Sequence, residues 1–170
     1  MNKIREIIKK LLDIHRSKVN TLEEVDVNEV ITSTLSLLED QLFINKIEVK
    51  TELSNKPGFI KALTQELFQV FMNLILNAMD AMEDGGILRI CSTVKNDKLE
   101  INFIDNGSGI SEKDIDHIFE PFYTTKSEML GTGLGLSTSK GIVESFKGEI
   151  FMESKKEKGA TFKLIFPLSK

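Results

Sequence analysis

Over residues 60–82, Leu63, Leu67, Val70, Phe71, Leu74, Ile75, Ala78 and Met82 recur at three- and four-residue spacing, which predicts a long helix with a buried apolar face. Gln69, Asn73, Asn77 and Asp80 fall on one side of that helix, because residues three and four apart are neighbours on a helix surface. Inside an apolar core each unsatisfied amide costs about 1–3 kcal/mol. The polar stripe is therefore expected to face a ligand or water. An asparagine oxygen is a hard ligand, suited to a Mg²⁺ that keeps most of its waters and takes its other oxygens from phosphates. On this segment alone, the solvated side of a surface helix explains the stripe equally well.

The flanking chain supplies the strands. Ile47, Val49, Thr51 and Leu53 alternate with Glu48, Lys50 and Glu52, the period of a half-buried strand, and Asn55, Lys56, Pro57 and Gly58 break it. Further strands are expected at 87–94 and 99–104, joined by turn-type residues at 95–98, and at 149–154 and 160–167. Helices are expected over 27–45 with Asp26 as N-cap, from Ser111 and Asp114 to about 118, and over 134–146, ended by Gly148. Residues 17–26 read as a linker, and 124–132, with little to build a core, as a mobile loop. This mixture predicts a two-layer α/β sandwich, a mixed sheet with helices packed on one face. Ahead of it, Ile4, Ile7, Ile8, Leu11, Leu12 and Ile14 predict an amphipathic helix over 3–18 that needs a partner. The expected division is 1–20 and 21–170.

With 170 residues, 41% hydrophobic and 28% charged, the chain has the composition of a soluble globular domain with a real core. A net charge of −4 with both signs interspersed leaves no basic footprint for nucleic acid. Cys91 is the only cysteine, which excludes an intrachain disulfide and a cysteine metal cluster. No apolar run approaches the roughly 20 residues that span a bilayer, and residues 1–16 are too charged for a signal peptide. A cytoplasmic location is expected, whether the longer protein is soluble or membrane-anchored.

Downstream of the helix, other segments suit other parts of a nucleotide. Asp105 follows the strand at 99–104, where a carboxylate can accept a hydrogen bond from an exocyclic amino group such as adenine's. Gly107 and Gly109 let the backbone turn tightly beside a flat ring, although a plain strand-to-helix turn uses the same residue types. Gly131, Gly133 and Gly135 open a helix, where backbone N–H groups and the helix N-terminus favour phosphate. The spacing is not that of a Walker loop, since Gly135 is not followed by Lys-Ser or Lys-Thr. Nor is it a dinucleotide fingerprint, because a polar loop precedes it instead of the first strand of a βαβ unit. Lys126, on the loop, is placed either to reach a terminal phosphate or to sit in solvent.

In this order the segments resemble the ATP-binding catalytic domain of sensor histidine kinases, in the superfamily shared with gyrase, mismatch-repair and heat-shock-chaperone ATPases. Residues Asn73 to Asp80 look like the N box and Asp105 to Gly109 like the first glycine box. Phe119, Glu120, Pro121 and Phe122 look like the F box, and Gly131 to Leu136 like the second glycine box. Gly159, Ala160, Thr161 and Phe162 resemble the final glycine-threonine strand motif. The resemblance covers residues 26–168. It implies the Bergerat α/β sandwich, ATP and Mg²⁺ as cofactors, Asn77 as Mg²⁺ ligand, and Asp105 on adenine N6 with support from the Thr161 hydroxyl. It makes residues 119–134 the ATP lid. It also implies that Asp80, Gly107, Gly109, Thr124, Lys126, Gly131, Thr132, Gly133, Leu134, Gly135 and Leu136 surround the nucleotide, with Asn73 and Lys126 in catalytic positions.

ATP-hydrolysing members of the superfamily carry a general-base Glu one turn before the Mg²⁺-binding Asn. Here that place holds Asn73, whose amide cannot take a proton from water. The resemblance therefore implies transfer to an outside nucleophile, a histidine on a dimerising helical hairpin. His117 reads as a surface histidine. His15 is followed by Arg16, Ser17 and Lys18, where the family's acceptor is followed by an acid and, soon after, a proline. Residues 4–30 resemble instead the end of the second hairpin helix and its linker. The acceptor is thus expected outside this chain, with a response-regulator receiver domain downstream, a homodimeric longer protein, and a monomeric fragment that does not phosphorylate itself. A serine kinase of the anti-sigma-factor type and a nucleotide-switched interaction module remain open beside the histidine kinase.

Overall fold

Burial alternates along the strands of the sheet: Leu88 and Ile90 on one, Leu99, Ile101 and Phe103 on the next, and Phe162, Leu164 and Phe166 on a third all turn inward. Such alternation gives a sheet one dry face. The computed structural model describes residues 21–56, 58–124 and 132–169. Its elements run β1 (Glu23–Asp26), α1 (Val27–Ile44), β2 (Ile47–Glu52), β3 (Phe59–Ala62), α2 (Thr64–Ala81), β4 (Gly86–Lys95), β5 (Lys98–Asp105), α3 (Glu112–Ile115), α4 (Gly135–Ser145), β6 (Glu149–Ser154) and β7 (Ala160–Pro167). The main sheet has the order β2-β4-β5-β7-β6. Its β2–β4 pair is parallel and the others antiparallel.

Local chemistry sets these boundaries. At the start of α1, the Asp26 carboxylate accepts the N–H of Asn28 at 2.9 Å, satisfying one of the donors a helix N-terminus leaves unpaired. Asn96 and Asp97, at φ 51° and 57°, form the two-residue turn between β4 and β5; such a turn matches the twist of its flanking strands. Helices α1, α2 and α4 pack against β2, β5 and β6, and Phe71 of α2 meets Phe103 of β5 with ring centroids 5.4 Å apart. The other face of the sheet is polar: Lys163 pairs with Glu100 at 2.9 Å, and Asn102 donates to the same carboxylate. This is the expected mixed sheet with its helices on one face.

Three expectations are corrected. Residues 60–63 do not begin the long helix, and residues 23–26 are not linker. Instead β1 and β3 pair antiparallel as a separate ribbon, with Val25 opposite Ile60. Ile60 and Leu63 fit a helical period, but Ile60 and Ala62 share the buried face of a strand, and pairing buries Val25 and Ile60 almost completely, which a helix starting at residue 60 would forgo. The short helix is also curtailed, to Glu112–Ile115. Strands β6 and β7 have the expected limits. The amphipathic segment 3–18 and His15 lie outside the described residues, as do positions 125–131. Among the described residues no helix is long and apolar enough to cross a membrane.

Because Phe71 is fully buried and Phe151 is 46% exposed on the open side of the sheet, Phe71→Ala is expected to cost about 3–5 kcal/mol of unfolding free energy. Phe151→Ala should cost under about 1 kcal/mol. Urea denaturation of both variants measures the contrast, and equal losses would misplace the core.

Candidate functional site

Asp105 ends β5 at the edge of the core and is 7% exposed. Its Oδ1 accepts two backbone N–H groups, from Gly107 at 2.9 Å and from Ala160 at 3.2 Å. Desolvation raises its carboxyl pKa, and backbone hydrogen bonds from Gly107, Ala160 and Asp105's own N–H pull the other way without cancelling it. Oδ2 has no partner among the described residues, yet no buried side-chain oxygen there goes unsatisfied. Oδ2 therefore keeps some contact with solvent and remains able to accept a donor from outside. The Thr161 hydroxyl makes no direct hydrogen bond to Asp105; the strand β7 supports it through the Ala160 N–H instead. Gly159 makes that approach feasible: at φ 82°, a Cβ on it would lie 1.9 Å from the Asp105 carbonyl oxygen, so no other residue fits.

The loop after Asp105 is tied to three neighbours. Asn106 Oδ1 accepts the Ile87 N–H at 2.7 Å, Ser108 N donates to Ala81 O at the end of α2, and Glu157 N donates to Ser108 O. Gly107 and Gly109 lie within this tethered loop. Helix α2 thus abuts the Asp105 loop at its C-terminal end. Eight residues earlier, Asn73 Nδ2 donates to Gly135 O and to Ser139 Oγ, both at 3.2 Å, so the same helix abuts the start of α4. At 1.5 Å per residue the two attachments are about 12 Å apart. Half-buried Asn77 lies between them, and its side chain makes no hydrogen bond among the described residues. Asp80 is half-buried on the same stripe.

Helix α4 opens without a side-chain cap, because Leu134 stands at its N-cap position. Its first N–H groups are therefore available to an anion. Thr132, Gly133, Leu134, Gly135 and Leu136 carry the chain into this end. Gly133, at φ 65°, has a reason apart from phosphate: its carbonyl accepts the Phe122 N–H at 2.9 Å, and a Cβ on it would lie 2.3 Å from the Phe122 carbonyl carbon. The F box is pinned from its other side. Asp114 accepts the hydroxyls of Ser111 at 2.6 Å and Tyr123 at 2.5 Å. These two bonds hold its carboxyl below the usual range, and the Asp114 bond raises the Tyr123 phenol. His117 shares a hydrogen bond with exposed Glu120, which raises its pKa. Thr124 is exposed at the last described position of this segment. Lys126 and Gly131 fall outside the described residues. The Ser111–Asp114–Tyr123 clamp and Ser139 were not read from the sequence as site residues; the Ser111 and Asp114 pair was legible only as a helix start.

Among the described residues no three His, Cys, Asp or Glu side chains converge on a metal position. A cation between α2 and α4 would take one oxygen from Asn77 and the others from phosphate and water, which is the coordination Mg²⁺ accepts.

Comparison with known proteins places this geometry. Residues 62–170 match the family model described as histidine kinase-, DNA gyrase B- and HSP90-like ATPase. Sporulation kinase A of Bacillus subtilis (strain 168) is 36% identical over 168 residues, covering 98% of this chain and 27% of that protein. Sensor histidine kinase ZraS of Escherichia coli (strain K12) is 32% identical over 99% of this chain and 36% of its own length. The chain thus spans about a quarter to a third of these relatives. Among solved structures, the catalytic domain of histidine kinase ThkA superposes with a TM-score of 0.78 at 31% identity, covering 88% of this chain and 99% of that one. ThkA in complex with response regulator protein TrrA superposes with a TM-score of 0.76 at 28% identity, over 99% of this chain and 48% of that one.

The burial of Asp105 separates stability from binding. Its folded-state pKa is raised, so at neutral pH the fold carries the cost of keeping the carboxyl ionised, and that cost is relieved as pH falls through the raised value. Asp105→Asn removes the charge but keeps an oxygen for Gly107 and Ala160. The expected outcome at pH 7.5 is an unchanged or higher Tm with ATP affinity at least about tenfold weaker, and in the parent an ATP affinity that declines as acid protonates Asp105. Calorimetry and thermal denaturation check both; a clear loss of Tm with ATP affinity retained would reverse the assignment.

Proposed function

Since the chain belongs to the histidine kinase-, DNA gyrase B- and HSP90-like ATPase family, as a catalytic domain of the histidine kinase branch, we propose that it binds Mg-ATP between α2, the Asp105 loop and the start of α4. It passes the γ-phosphate to a histidine supplied by a dimerisation hairpin. In this reading Asp105 Oδ2 accepts from the adenine amino group, and Gly107 and Gly109 border the ring. Asn77 holds Mg²⁺, with Asp80 beside it on the stripe. Thr132, Gly133, Leu134, Gly135 and Leu136 present backbone to the phosphates, and Thr124, Lys126 and Gly131 belong to the lid over them. Thr161 stands behind Asp105 on β7. The bound Mg²⁺ neutralises phosphate charge; the chain's residues orient the nucleotide.

The observation that carries the reading is Asn73. At the position where hydrolysing relatives would need a base, both donors of an amide are spent on Gly135 and Ser139, and an amide cannot activate water. A site that binds ATP without a base one turn before its metal ligand suits a transferase whose nucleophile arrives from another domain. Residues 1–20 read as the end of that hairpin and 21–170 as the catalytic domain. The response regulator in the ThkA complex supports a receiver domain as the downstream partner, with the longer protein acting as a homodimer.

The test supplies a separate histidine hairpin and labelled ATP. The parent chain should transfer acid-labile, alkali-stable phosphate to the hairpin, and Asn77→Ala should lower that rate at least about a hundredfold with a modest change in Tm. Acid-stable label on serine would identify a serine kinase, and ATP binding without any transfer a switch module.

A further inference from the structure

The same side chain that disqualifies position 73 as a base has a structural partner set. Asn73 Nδ2 spans to Gly135 O and Ser139 Oγ, and the Ser139 hydroxyl itself donates to Gly135 O at 2.9 Å. Ser139 is fully buried, although a hydroxyl is an unusual choice for the dry side of a helix. The three groups form a closed triangle in which every polar atom facing inward is satisfied. Turning the amide over would set Asn73 Oδ1 against the Gly135 carbonyl, oxygen to oxygen, so the triangle fixes the amide's orientation. The contact joins the metal-facing side of α2 to the first turn of α4, the two elements that would grip a terminal phosphate from opposite sides.

We propose that Asn73 and Ser139 are positioning residues that hold the phosphate-binding end of α4 at a fixed distance from the metal ligand Asn77. This inference rests on the nucleotide-site reading above and adds a second role to the missing base. Position 73 is committed to the helix contact, and a carboxylate placed there would face the Gly135 carbonyl. Catalysis by positioning requires the reacting atoms to be held within a small tolerance. Loosening this contact should therefore affect the phosphate that spans α2 and α4 far more than the adenosine end, which is fixed separately at Asp105.

Two variants test this. Asn73→Asp keeps the size of the side chain and removes the donor, and Ser139→Ala removes only the buried hydroxyl. In the nucleotide-free chain, amide hydrogen exchange across residues 135–140 should quicken by about five- to tenfold in both, while exchange in β5 and β7 stays at the parental rate. ATP affinity should fall at least about tenfold while ADP affinity changes by less than about threefold, and kcat for transfer to a supplied hairpin should fall with the ATP affinity. Ser139→Thr, which keeps the hydroxyl, should restore the parental ATP-to-ADP ratio. Parental exchange across 135–140 in Asn73→Asp would overturn the contact as a positioning device. So would ATP and ADP weakened equally, the mark of a merely structural loss. Exchange that quickens as expected in a chain whose parent shows no ATP binding would preserve the contact but remove the nucleotide-site reading, and with it the positioning role.

Discussion

One buried carboxylate oxygen gathers one end of the proposed site. Asp105 Oδ1 joins the loop after β5 to the start of β7 through two backbone N–H groups, and leaving that oxygen unpaired would strand a charge in the core's margin. The loop it closes then receives α2 through Ser108 and the start of β4 through Asn106. The end of α2, the start of β4 and the end of β5, consecutive in the chain, and the start of β7, more than fifty residues on, therefore meet around one residue. The free Oδ2 is the chemical product of this arrangement: burial makes its charge costly, and a donor from a ligand offsets that cost.

Helix α2 carries the other half of the arrangement. Its apolar face is locked by Phe71, Leu74 and Ile75 against the sheet, so the polar stripe opposite behaves as a fixed scale. Asp105's loop is attached at one end, Asn73 to α4 at the other, and Asn77 stands between them. Sites built on packed helices and strands keep their geometry better than sites built on loops. In the proposed site Asn77, Asp105 and Gly135 sit on α2, β5 and α4, while the groups from the loop after β5 and from the F-box side are carried by loops. The F-box loop has its own anchors in the Asp114 clamp and the Phe122–Gly133 bond.

What the sequence revealed and what it hid follow from the range of the interactions. The capped start of α1, the turn at Asn96 and Asp97, and strands β6 and β7 were legible because their causes are local. Residues 60–62 were misread as helix because their strand partners in Glu23–Asp26 lie far back in the chain and no local period reveals the pairing. The polar stripe was correctly seen as facing away from the core, yet one of its members meets a helix 62 residues on. Gly133 was read as a residue for phosphate, whereas the backbone of Phe122 demands it as well. The resemblance gave Asp105 a threonine hydroxyl as its support, and in the structure the direct contact is a backbone N–H one residue earlier. Residue types announced the chemistry; only the fold showed which group carries each contact.

The central claim is that Asp105 Oδ2 reads an exocyclic amino group. Calorimetric titration of the chain with ATP and with purine riboside triphosphate, which lacks only that group, tests it most directly. Removing the amine leaves a buried carboxylate oxygen unmet, so the purine analogue should bind about 10- to 100-fold more weakly, and the difference should vanish in Asp105→Asn. Equal affinity for the two nucleotides in the parent chain would contradict the account.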